Sequence, residues 1–228
     1  METFLPRYFA ILDQYSQDKL QQGSLLVPIL ASSEEMVRNV DPALTNRDVF
    51  WQHFTQQTGL DRVYLEKGFD QFYQTEFRNL ESITEKWPVA VELVRTSFAK
   101  RLQVVIATNP MFPRTAVEAR LEWAGVPLSD FPYDLITSYE NMHAVKPHLT
   151  YYQEILDIVG CRPENALMVG DDWQRDIEPA ATLGLFTFWI QLPGTNPPDA
   201  SLPTAYGSLE GLLARLQSSW LQHLAVPT

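Results

Sequence analysis

Three stretches of this sequence hold side chains that could do chemistry together. Thr108 and Asn109 follow an apolar run at residues 104–107. Gly170, Asp171 and Asp172 follow a second run at 166–169, with Asp176 shortly beyond, and Lys146-Pro147 lies in the segment between. A hydroxyl and a lysine that converge can hold phosphate oxygens, and carboxylates beside them can hold a hard cation such as Mg²⁺. Taken singly, each piece has a plainer role. Thr-Asn is turn chemistry, a lysine before proline is a solvated surface residue, and aspartates cap helices. Asp171, Asp172 and Asp176 in one short segment repel each other, however, and a cation would relieve that repulsion. His143 and His148 have no third ligand near them in sequence and read as surface residues rather than a zinc pair. Cys161 reads as packing, and Trp173 as core or as a wall of the site mouth.

The elements that must position these groups fall into two textures. Up to about residue 100 the pattern is helical throughout, with expected helices at 2–21, 27–39, 46–59, 61–79 and 88–100. Phe4, Leu5, Tyr8, Phe9, Leu12 and Tyr15 recur at helical spacing, and Asp61 and Pro88 mark helix starts. Beyond it, short apolar runs at 104–107, 134–137, 166–169 and 186–190 alternate with helices at 113–124, 149–159, 177–183 and 208–224. Strand and helix in alternation imply an α/β fold, a Rossmann-like parallel sheet covered by helices on both faces. The Pro- and Gly-rich stretch 192–206 reads as a surface loop. The expected division is a helical domain over 1–95 and an α/β domain over 96–228. In such sheets ligands bind beyond the carboxyl ends of the strands, where Thr108 and Asp171 fall.

Composition narrows the field. The 228 residues are 45% apolar with 10 Gly and one Cys, which excludes disordered, collagenous and disulfide-framed classes. With 17 basic against 28 acidic side chains the net charge is −11, which argues against a nucleic-acid partner. No apolar run reaches the length of a membrane span, no secretory signal is evident, and a reducing cytoplasm is the expected compartment.

The segments VVIATNP (104–110), AVKPHLTYYQEIL (144–156) and ALMVGDDWQRDIEPAATLGL (166–185) resemble motifs two, three and four of the haloacid dehalogenase-like (HAD) superfamily. Lys146 stands 38 residues after Thr108 and Asp171 stands 25 after Lys146, in the family's order. The N-terminal helices are similar in character to that family's C1-type helical cap. The resemblance implies a Mg²⁺-dependent phosphatase acting on a small phosphorylated substrate through an aspartyl-phosphate. It assigns Thr108 and Asn109 to phosphate binding, Lys146 to phosphate binding and catalysis, and Asp171 to the metal, with Asp172 or Asp176 as its acidic partner. Phosphoryl transfer is mostly positioning and charge stabilisation, which agrees with the residue types.

Motif one, a strand ending in Asp-x-Asp that supplies the family's nucleophile, does not appear. The nearest candidate, Asp13-Gln14-Tyr15, has Tyr15 where the second Asp belongs and lies in a helical pattern. The expectation is a chain inactive unless extended upstream of Met1 by about 15 to 25 residues, the rough length of one strand with its loop. In the family the missing strand separates those bearing motifs two and four. The runs at 104–107 and 166–169 should therefore either stand apart or close up and pair. The alternatives are a non-catalytic phosphate- or metal-binding HAD-like protein and a haloacid dehalogenase, against which the acidic fourth motif weighs.

Overall fold

A computed structural model describes residues 4–224. They group into two compact units that interleave along the chain. The first holds residues up to Lys86 with Thr108–Asp130 and Ile136–Val145, and the second holds Trp87–Ala107, Phe131–Leu135 and the chain from Lys146 on.

In the first unit, α1 (Phe4–Asp18) buries Tyr8, Leu12 and Tyr15 at steps of four and three, and Ser16 is buried beside them by returning its hydroxyl to the Leu12 carbonyl. The expected start at residue 2 lies outside the described residues. α2 spans Leu26–Arg38 and α3 Asn46–Thr58, the latter opened by a capping box between Thr45 and Asp48 and closed by Gly59 at φ 67°. α4 (Arg62–Gln74) starts on Asp61, whose carboxylate accepts the Tyr64 N–H. The helix expected to run to 79 instead breaks at Thr75 and continues as a 3₁₀ segment, Glu76–Ile83. Its three-residue repeat places Phe77 and Leu80 on one buried face, a spacing that an α-helical reading also accepts. α6 (Arg114–Ala124) adds Ala116, Ala119 and Trp123 to a core of Trp51, Phe54, Phe72 and Phe77. Inside this core the Tyr8 and Tyr73 hydroxyls are hydrogen-bonded at 2.7 Å.

In the second unit, α5 (Pro88–Ala99) leads to β1 (Val105–Ile106); its sheet neighbour β2 (Leu135–Ile136) begins in this unit with Leu135. α7 (Leu149–Val159), closed by Gly160, precedes β3 (Leu167–Gly170). A π-helical turn (Trp173–Ile177) and α8 (Glu178–Thr182) then cross over to β4 (Phe186–Ile190), which runs parallel to β3 with Leu167 opposite Phe186. β5 (Ala205–Gly207) adds in parallel on the other side of β4, inside the tail of the segment expected to be loop. It is held partly by reciprocal bonds between the Thr187 and Thr204 backbone N–H groups and hydroxyls, a device invisible to hydrophobic patterning. The last helix is two: α9 (Leu209–Gln217) and α10 (Trp220–Leu224), separated at Ser218. Leu93, Phe188, Leu212 and Leu216 form the core here.

The sheet order is β1–β2 and, separately, β3–β4–β5. Of the two arrangements expected for the first and third runs, direct pairing is not found. The fold is α/β with parallel strands, and no described helix is long and apolar enough to cross a membrane.

Two measurements test this packing. Phe72 is fully buried among Tyr8, Tyr15, Tyr73 and Phe77, so Phe72→Ala is expected to lower urea stability by about 3–5 kcal/mol. Burial pushes Tyr8 and Tyr139 up to about 12, so the native state favours their neutral form. That contribution is whole below the unfolded tyrosine value of about 10 and is lost as pH climbs from there through about 12. The urea midpoint should fall between pH 9.5 and 12 as tyrosinate absorbance rises with unfolding. A midpoint flat across that window would contradict the burial.

Candidate active site

The residues singled out for chemistry divide between the two units: Thr108 and Asn109 belong to the first, Lys146, Asp171, Asp172 and Asp176 to the second. Thr108 follows β1, and Thr137 follows β2. The Thr108 hydroxyl donates to the Thr137 carbonyl at 3.1 Å while the Thr137 hydroxyl donates to the Thr108 carbonyl at 3.0 Å. This reciprocal lock fixes the two strand exits together and already uses the proton that a phosphate oxygen would need. Asn109 turns its amide nitrogen to the Met111 sulfur at 3.1 Å. Glu140 then accepts the Arg114 N–H with both carboxylate oxygens and so caps α6 just beyond this loop.

Lys146 is buried, at 8% exposure, and its ammonium lies 2.6 Å from Asp176 Oδ1 and over the Tyr151 ring. Its peptide bond to Pro147 is cis. The other Asp176 oxygen accepts the Asp172 N–H at 3.1 Å, and the Asp176 N–H donates to the Asp172 carbonyl at 2.7 Å. Both carboxylate oxygens of Asp176 are thus engaged. Gly170, at the end of β3, makes room for this: a Cβ there would stand 2.1 Å from Asp176 Oδ2. Tyr152 closes the other side by donating its hydroxyl to the Arg175 carbonyl. Burial, and then the Asp176 charge, raise its pKa well above the ordinary phenol value.

Asp172 caps the π-helical turn, accepting the Arg175 N–H at 3.0 Å, and Asp171 stands exposed with its carbonyl on the Trp189 indole N–H. The Asp171 carboxylate makes no hydrogen bond or ion pair with another described residue. Trp173 packs edge-on against Trp189 and is half-exposed, which makes it wall more than core.

Among the described residues no three His, Cys, Asp or Glu side chains are grouped as a metal site. Tested against a hard cation, the donors fit unequally. Asp171 offers a free carboxylate at a strand end, whereas Asp176 is committed to Lys146 and Asp172 N–H. Asp13, the nearest stand-in for a nucleophile, lies on α1 with Oδ2 taking the Gln17 amide, so the helical reading of that segment holds. Sequence reasoning missed the tight contact at Gly170. A glycine ending an apolar run before two aspartates was its one available signal.

The second unit thus carries a parallel sheet with a buried lysine–aspartate pair beyond the end of β3. The profile of haloacid dehalogenase-like hydrolases matches residues 9–184, and the chain belongs to that family. It is 27% identical over 113 residues to the pyrophosphatase PpaX of Bacillus cereus (strain AH820), covering 50% of each chain. The chain therefore spans about half the length of the curated relatives it matches. Among solved structures it resembles the HAD-hydrolase YfnB from Bacillus subtilis bound to magnesium, at TM-score 0.51 and 20% identity over 91% of this chain and 90% of that one. It also resembles the L-2-haloacid dehalogenase RSc1362, at TM-score 0.52 and 18% identity over 92% and 91%.

The ion pair carries two expected outcomes. Lys146→Met leaves Asp176 buried without its cation and should cost about 3–5 kcal/mol in urea unfolding, with much of the loss recovered when Asp176→Leu is added. Gly170→Ala should cost about 1–3 kcal/mol, because the new methyl must displace a carboxylate held by two partners.

Proposed function

We propose that this chain is a phosphatase-type HAD hydrolase, Mg²⁺-dependent, cytoplasmic, and directed at a small phosphorylated metabolite. Residues 1–95 serve as its cap and 96–228 as its catalytic domain. The observation that carries the reading is the buried Lys146–Asp176 pair at 2.6 Å, a cation fixed against the turn that follows β3 and its exposed Asp171. Lys146 offers positive charge to a phosphoryl group in a water-poor setting, where it is worth more than in solvent. Thr108 and Asn109, in the first unit, are assigned to phosphate binding by the motif they match and not by a distance to Lys146. Asp171, with Asp172 as the second acidic group, would hold the Mg²⁺, which offsets charge on the transferred phosphoryl group. Asp176 serves to fix Lys146. The 27% identity to a pyrophosphatase supports phosphoryl chemistry over dehalogenation.

Among the described residues Asp13, the nearest stand-in for the nucleophile of this scheme, sits on a helix rather than at a strand end. The same observation favours a second reading, a non-catalytic protein that keeps the phosphate side of the site for binding. Hydrolysis of p-nitrophenyl phosphate separates them. The chain as it stands should be no faster than its Asp171→Ala variant, while a chain extended through an in-frame upstream Asp-x-Asp strand should turn over with Mg²⁺ and stop with EDTA. A stop codon directly upstream, or an inert extended chain, supports the binding protein. Mg²⁺-dependent turnover by the unextended chain would overturn the assignment of the nucleophile.

A further inference from the structure

Asn46 opens α3, far in sequence from Thr108, Lys146 and the three aspartates, yet it is fully buried. Its amide nitrogen lies 3.2 Å from the Pro110 carbonyl and 3.1 Å from the Ala144 carbonyl. Two carbonyls around one terminal atom fix the amide orientation, because only the NH₂ end can donate to both. Pro110 is two residues after Thr108, and Ala144 is two residues before Lys146. One side-chain nitrogen thus holds the backbone leaving the first phosphate-binding residue and the backbone entering the second.

The neighbouring groups of α3 act in the same place. The Asn46 and Arg47 backbone N–H groups, unpaired within the helix at its first turn, donate to the Met142 and Tyr139 carbonyls at 2.8 Å each. Asn39, just past α2, donates to the His143 carbonyl at 3.1 Å. The segment from Tyr139 to Ala144 is therefore suspended from the start of α3 by its carbonyls. The Asn46 side chain also reaches the loop after Thr108, which the Tyr139 N–H meets as well at the Phe112 carbonyl, 3.0 Å away.

We infer that Asn46 is a positioning residue, a hydrogen-bond tie from the start of α3 that sets the loop after Thr108 and the segment 139–144 in register within the first unit. The inference rests on the phosphate-site reading proposed above. Asn46 touches no substrate in this scheme; it acts through the backbone on either side.

The test uses the full chain with Asn46→Leu, which keeps the size and removes both donors. Asn46→Asp, which sets a carboxylate against the two carbonyls, is the second variant should the first fail to fold. Thr45→Ala serves as the control, since it weakens the α3 cap without touching the tie. Hydrogen exchange should quicken at residues 109–112 and 139–146 in either Asn46 variant and stay unchanged in α1 and α4. Inorganic phosphate, measured by calorimetry with Mg²⁺, should bind about tenfold more weakly, the loss expected for one or two hydrogen bonds. Thr45→Ala should lower the melting temperature with neither effect. Loop exchange equal to wild type, or unchanged phosphate affinity, overturns the inference. If wild type and Lys146→Ala bind phosphate equally poorly, the phosphate-site reading itself falls, and unequal loop exchange still decides whether Asn46 ties the two segments.

Discussion

The second unit of this protein depends on one buried charge pair. A lysine and an aspartate, each at 8% exposure and 2.6 Å apart, are tolerable out of water only if every other demand they make is met nearby. The surroundings meet them in turn. The Asp172 N–H takes the second carboxylate oxygen, the Tyr151 ring lies against the ammonium, and β3 ends in a residue without a side chain so that the carboxylate can sit against its backbone. The π-helical turn follows from the same requirement. Its wider ring admits Asp172 as cap and returns Asp176 inward, with the reciprocal 2.7 Å bond from Asp176 N–H to the Asp172 carbonyl holding the loop shut.

That arrangement redistributes the three aspartates that the sequence presents as one acidic cluster. Asp176 is held by the lysine, Asp172 caps its own turn, and Asp171 is exposed. Residue type alone shows the cluster; the partner that each carboxylate takes depends on Lys146 and on the turn that follows β3.

Much of the fold was legible because it rests on periodicities that local sequence carries. The helical spacing of Tyr8, Leu12 and Tyr15, the Thr45/Asp48 box, and the glycines ending α3, α6 and α7 all act within a turn or two of chain. The alternation of apolar runs and helices likewise announced parallel pairing, borne out by β3 with β4. What escaped depends on contacts across long stretches of sequence. β5 is held by hydroxyl–amide exchange with a strand 17 residues away, and Asn46 reaches carbonyls 64 and 98 residues on. Thr108 was legible as a hydroxyl at a strand end, but its lock with Thr137 was not, since neither residue type nor spacing announces a reciprocal pair.

Burial along the sheet shows where its organisation is least complete. β4 is paired on both edges, and Thr187, Phe188 and Trp189 are buried; β3 is paired on one edge, and its Val169 is 38% exposed. Side chains stand on the faces of a sheet and backbone groups along its edges, so the open Val169 marks a thinly covered face and the one-sided pairing marks β3 as an edge strand. β1, whose pairing is confined to β2, stands in the same unit without joining β3. The strand that ends in Gly170 and Asp171 is thus both the bearer of the acidic site and the unflanked edge of its sheet.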